Sequence, residues 1–194
     1  MNNIIIKDII DDICKKDKIM NEIIINSKHE YMNNKQNKFS YLIGLIIGQK
    51  IRFKDARIIR QRLYIEIKNN DFNPIDILNL TDEQWKKINI EQNKKETIIT
   101  ISKYLYDNKQ NIENMSNQEL LSLQKIKGVG NWTITTFMIE YGLNLDIFPL
   151  NDKYVNNQLK KYYNIKTKEE IVNFINLFTP YKSIIFWYLW KNNI

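Results

Sequence analysis

Apolar residues recur at helical spacing along most of the chain, and the alternation expected of strands is nearly absent. Ile9, Ile10 and Ile13 mark a short helix over 7–16, and Ile19, Ile23 and Ile24 a second one starting at Asp17. Ser27 to Lys38 is polar and reads as loop. Phe39 to Gln49 is apolar and reads as a buried helix, with Gly44 and Gly48 four residues apart to permit close helix packing. Ala56, Ile59 and Leu63 share one face of a helix over Asp55 to Lys68, with Arg57, Arg60 and Arg62 around it. Pro74 opens a short helix reaching Leu80. Ile98, Ile101 and Leu105 face inward along Lys94 to Asp107. Thr81 to Gln84, Ser116 to Glu119 and Thr167 to Glu170 each have capping-box spacing, a hydroxyl followed three residues later by a carboxylate or amide. The last helix starts at Pro180 and carries Phe186, Trp187 and Trp190. The expected fold is all-α.

The stretch from Ser116 to Tyr154 is the most informative. Leu120, Leu123 and Ile126 continue a helix from the Ser116 cap. Lys127-Gly128-Val129-Gly130 interrupts it, Asn131 to Tyr141 resumes a helix, and Gly142 stops that one. A loop from Asp146 to Asp152 leads into a further helix faced by Val155, Leu159 and Tyr162. Glycines at both ends of a hairpin leave successive backbone N–H groups unshielded, and such a nest beside a helix N-terminus suits a phosphate oxygen. Asp152 has two readings at this point: a helix cap facing the dipole, or a carboxylate that does chemistry. Trp132 and Trp190 likewise read either as core or as a stacking surface for a base.

Composition narrows the choice. The 194 residues suit one domain or two small lobes, and a 43% hydrophobic share supports a core. A net charge of +7 and a pI near 9.2 favour a polyanionic partner. Cys14 is the single cysteine, so a four-cysteine iron–sulfur cluster is excluded and a reducing, intracellular compartment is expected. His29 is the single histidine, which rules out a histidine metal site or a Ser-His-Asp triad. The apolar run Tyr41 to Gly48 is far below the ~20 residues that span a bilayer. Acidic residues among the first isoleucines argue against a signal peptide.

Leu123-Gln124-Lys125-Ile126-Lys127-Gly128-Val129-Gly130-Asn131-Trp132-Thr133, followed by Asp146 to Asp152, resembles the helix-hairpin-helix, loop and aspartate of the HhH-GPD DNA glycosylase superfamily. Trp132-Thr133 and the closing segment Pro180-Tyr181-Lys182-Ser183 to Trp190 are similar to its alkylbase (3-methyladenine type II) branch. The resemblance covers about residues 39 to 190. It implies two helical lobes with a cleft between them. One lobe would be formed by 1–38 and about 147–194, the other by about 39–146 with the hairpin 127–130.

The resemblance also implies roles. Asp152 would be the catalytic carboxylate, and Trp132, Trp190 and Tyr181 would line the pocket for the damaged base. Gln49 and Lys50, Lys127, Gly128 and Gly130 would lie against DNA. Gln124, Ile126 and Val129 would contribute backbone carbonyls to a Na⁺ or K⁺ ion bridging to a phosphate. Lys50 departs from the apolar wedge frequent after Gly48-Gln49, although Ile51 is adjacent. Lyase relatives place a lysine where Trp132 stands. The expected activity is therefore monofunctional hydrolysis of the N-glycosidic bond of alkylated purines, of the 3-methyladenine and 7-methylguanine type, in double-stranded DNA, by a monomer in the cytoplasm, nucleoid or nucleus. No cofactor is expected beyond that cation. The alternatives are a non-catalytic DNA-binding module and a glycosylase for another lesion.

Overall fold

The computed structural model describes residues 3–28, 30–31 and 36–192, with side chains from residue 5 onward. His29 and part of the expected loop from Ser27 to Lys38 lie outside the described residues. Among the described residues there are twelve α-helices, two 3₁₀ turns and no strand. None of these helices is long and apolar enough to cross a membrane. The chain divides into two compact units, one formed by Met1–Asn34 with Met138–Ile194 and the other by Lys35–Phe137.

The second unit holds α3 (Lys38–Gly48), α4 (Phe53–Ile67), α5 (Pro74–Leu78), α6 (Asp82–Ile88), α7 (Gln92–Asp107), α8 (Asn117–Ser122) and the start of α9 (Asn131–Glu140). Helix α3 is apolar on nearly every side and is buried accordingly, with Leu42, Ile43, Ile46 and Ile47 inaccessible to solvent. Gly44 lets it meet α4: a Cβ there would stand 3.3 Å from Arg60 Cδ. Short caps set the helix starts. Asn37, Asn73, Thr81 and Ser116 each accept a backbone N–H of the first turn, and the last three complete capping boxes. Helix α8 ends at Ser122, earlier than its apolar periodicity predicts. Leu123–Lys125 tightens into a 3₁₀ turn and Ile126 is extended, so the chain enters the hairpin with Val129 turned inward at 3% exposure.

The first unit holds α1 (Asn3–Lys16), α2 (Lys18–Ile25), α10 (Lys153–Tyr163), α11 (Lys168–Asn176) and α12 (Lys182–Lys191), with the last turn of α9. Helix α1 starts four residues before the expected 7. Helix α12 packs on α2, α10 and α11, and Ile184 to Leu189 form the centre of this core with Val155, Leu159, Met20 and Ile23. Helix α12 begins at Lys182 and not at Pro180, because Tyr181 at φ −122° and ψ 26° is not helical.

Candidate functional site

The hairpin is built inside the second unit. Gly128 has φ +93°, and a side chain there would collide with Thr97 of α7. Val129 N–H donates to Ile126 O at 3.0 Å, closing the turn. Thr97 Oγ1 lies 3.2 Å from Lys127 O. Gly130 has no atom within 4 Å of where a Cβ would be, and its carbonyl accepts the first bonds of α9, from Thr133 and Ile134. A helix N-terminus is the positive end of its dipole and favours a negatively charged oxygen beside it. Trp132 stands in the first turn of α9, half-buried, in the hairpin's unit.

Gln49 is tied to the same hairpin. Its Nε2 donates to Gly128 O at 3.0 Å and to Thr133 Oγ1 at 2.8 Å. Lys50 follows, exposed, with a left-handed φ of 56°. Ile51 is half-buried.

Asp152 belongs to the first unit, with Tyr181 and Trp190. It is the N-cap of α10 and is only 7% exposed. Its Oδ1 accepts the Val155 N–H at 2.9 Å. The loop that delivers it is fastened at both ends. Asn156 Nδ2 donates to Leu150 O at 2.8 Å, and Asp152 N–H donates to Pro149 O at 3.1 Å. At the upstream end the fully buried Ser183 is the hub. Its N–H donates to Leu145 O at 2.8 Å, and its Oγ lies 2.9 Å from both Asn144 O and Ile147 O. The same Oγ accepts the Ile147 N–H at 3.0 Å. Lys182 pairs with Asp146 at 3.2 Å. Sequence reasoning quoted Lys182 and Ser183 within a segment but assigned neither a task. A hydroxyl in the first turn of an apolar helix is a readable signal only once its distant partners are known.

Around Trp190 the rings are layered. Phe148 meets Phe186 edge-on at 5.4 Å, and Phe186 lies nearly parallel to Trp190, 20° apart with centroids at 6.4 Å. Lys191 Nζ stands 4.9 Å from the Trp190 centroid and 5.6 Å from that of Trp187. Phe186 and Trp187 are core, whereas Trp190 is half-buried, as is Tyr181. Glu140 was not anticipated. At 6% exposure it accepts Trp187 Nε1–H at 2.7 Å and pairs with Lys191 at 3.5 Å, so its buried charge is compensated.

No family model matches the chain. The fold is nevertheless that of the HhH-GPD DNA glycosylases. The chain superposes on a solved 3-methyladenine DNA glycosylase of Schizosaccharomyces pombe, in complex with abasic DNA, with a TM-score of 0.74 at 23% identity, over 90% of this chain and 91% of that one. Its homologues are more particular: they are named as alkylbase and 3-methyladenine DNA glycosylases. DNA-3-methyladenine glycosylase 1 of S. pombe is 26% identical over 182 residues, 89% of this chain and 79% of that protein. Alkylbase DNA glycosidase-like protein mag2 of the same yeast is 40% identical over 87 residues, 43% of this chain. That match spans about two fifths of the relative's own length, 41%.

Proposed function

We propose that this protein is a monofunctional DNA glycosylase that hydrolyses the N-glycosidic bond of alkylated purines, of the 3-methyladenine and 7-methylguanine type, in double-stranded DNA. The observation that carries the reading is Asp152, a buried carboxylate held at a helix start by a doubly fastened loop, in a chain whose homologues are named for this activity. As the bond from C1′ to the base breaks, positive charge builds on the sugar. The Asp152 carboxylate stabilises that charge and takes a proton from the attacking water, leaving a free base and an abasic site. A ring-alkylated base is already cationic and departs as a neutral molecule, so no general acid is needed. Trp190 and Tyr181, in the same unit as Asp152, hold the extruded base by stacking.

The hairpin Lys127–Gly130 and the Gln49–Lys50 segment bind the phosphate backbone and carry no sequence preference. A Na⁺ or K⁺ ion at the carbonyls of Gln124, Ile126 and Val129 belongs to the same reading. Ile126 O accepts one N–H, from Val129, and a carbonyl has a second lone pair for a cation. Such an ion would neutralise phosphate charge. Trp132 cannot form the Schiff base with the sugar that a lysine could, so the abasic strand is left uncut. Borohydride treatment with abasic DNA is expected to trap no adduct. Efficient trapping would point to a lyase amine, with Lys127 and Lys153 the nearest suspects.

The cap that Asp152 provides to α10 is the observation favouring a non-catalytic module, and one substitution separates the two roles. Asparagine caps helices as well as aspartate. Asp152→Asn is therefore expected to keep the fold and DNA affinity while losing release of 3-methyladenine from methylated DNA, followed chromatographically. Undiminished release would assign Asp152 to the cap alone.

A further inference from the structure

Lys94 is a buried lysine for which the proposed chemistry has no use. It is 8% exposed and lies in the first turn of α7. Its Nζ donates to Ile47 O at 2.8 Å and to Gln49 O at 2.6 Å. These carbonyls belong to the last turn and C-cap of α3, where the helix leaves acceptors unpaired and its dipole is negative. Lys94 thus caps α3 from another helix. Burial pushes its pKa down, while the nearby Glu91 works against that shift.

The connection continues through Gln49. The backbone carbonyl of Gln49 is held by Lys94, and its side chain by Gly128 O and Thr133 Oγ1 of the hairpin and α9. Thr97 lies three residues after Lys94, on the same face of α7. It meets the hairpin directly, through Lys127 O and the space beneath Gly128. One face of α7 therefore fastens two segments that are about 80 residues apart in sequence, as the Gln49-to-Gly128 bond records at a separation of 79.

We infer that Lys94 is a positioning residue for DNA binding, setting the spacing between the Gln49–Lys50 segment and the hairpin so that both engage one duplex. The inference rests on the proposed DNA-binding role of those two segments. Lys94→Met keeps the length of the side chain and removes its donors. Two references accompany it: Ile98→Val, which trims the core of the same helix, and Lys103→Met, which removes an exposed charge from it.

Affinity for a duplex with a tetrahydrofuran abasic analogue is measured where circular dichroism shows every protein compared to be folded. Backbone amide NMR shifts are recorded without DNA. Lys94→Met is expected to lose about tenfold in affinity, the scale of lost hydrogen bonds to a charged donor. It is also expected to shift the amides of both 49–51 and 127–130, and neither reference should do so. Combined with Gln49→Met, the loss should be less than additive. Unmoved hairpin amides, additive losses, or an affinity no worse than the references would overturn the inference. If the wild-type protein binds no duplex, the proposed function fails, while the amide shifts still decide whether Lys94 couples the two segments.

Discussion

Gly128 carries two constraints at once. Its φ of +93° lies where L-residues are strained, and the Thr97 side chain occupies the place of its Cβ. The backbone strain costs about 1–2 kcal/mol and the overpacking another ~1–3 kcal/mol. Gly128→Ala is expected to lower unfolding free energy by roughly 2–5 kcal/mol in urea denaturation. Gly130, with open space around it, should accept alanine for less than about 1 kcal/mol. The two glycines look equivalent in the sequence and are not: one is required by packing, the other leaves the backbone accessible. Asp152 shows a similar duality within one side chain, since a carboxylate that caps α10 is thereby fixed in direction for anything else it does.

At the level of elements, helix starts are set by reciprocal caps whose acid members titrate. Glu119 accepts from the Ser116 N–H and hydroxyl, each at 2.7 Å. Glu170 accepts from the N–H groups of Lys166 at 2.7 Å and Thr167 at 2.9 Å. These bonds hold both carboxyls below the ordinary glutamate range, the Ser116 hydroxyl leading for Glu119 and the Lys166 N–H for Glu170. With its pKa depressed on folding, each group is less protonated in the folded than in the unfolded chain. The stabilisation is therefore present above the unfolded pKa and is lost as pH falls through the folded one. Glutamine also serves at the third helical position. Glu170→Gln should cost some stability at neutral pH, little at acid pH, and so flatten the acid side of a melting-temperature profile. The effect should be small, because the group is exposed. An acid limb as steep as that of the wild type would detach Glu170 from the pH response.

For the whole molecule, charge and hairpin geometry combine. A net charge of +7 and a backbone-reading hairpin predict affinity that falls with salt and is indifferent to sequence. The Cβ of Gly130→Asp would meet open space, and its carboxylate places a negative charge at the N-terminal end of α9. Affinity should drop comparably for lesion-bearing and undamaged duplexes in fluorescence anisotropy, with the melting temperature little changed. A loss confined to one sequence would contradict backbone binding.

The elements of this fold were legible in the chain because their causes are local. Caps at Asp17, Thr81, Ser116 and Thr167, and the 3.6-residue spacing of isoleucines and leucines, act within one or two turns. The glycine pattern of the hairpin and the approach to Asp152 carried the resemblance for the same reason: a turn is specified by adjacent residues. Where Leu123 to Ile126 continued the apolar pattern, the helix nevertheless ended, because Val129 is buried only if the chain turns there. What the tertiary structure alone decided is which polar side chains are inside. Lys94 reaches carbonyls 45 and 47 residues away, Ser183 fastens a loop 36 residues upstream, and Glu140 meets Trp187 at a separation of 47. In a linear sequence each of these reads as an ordinary surface residue. A buried polar group is tolerated only where its hydrogen bonds are satisfied, and the partners that satisfy these three are brought within reach only by packing.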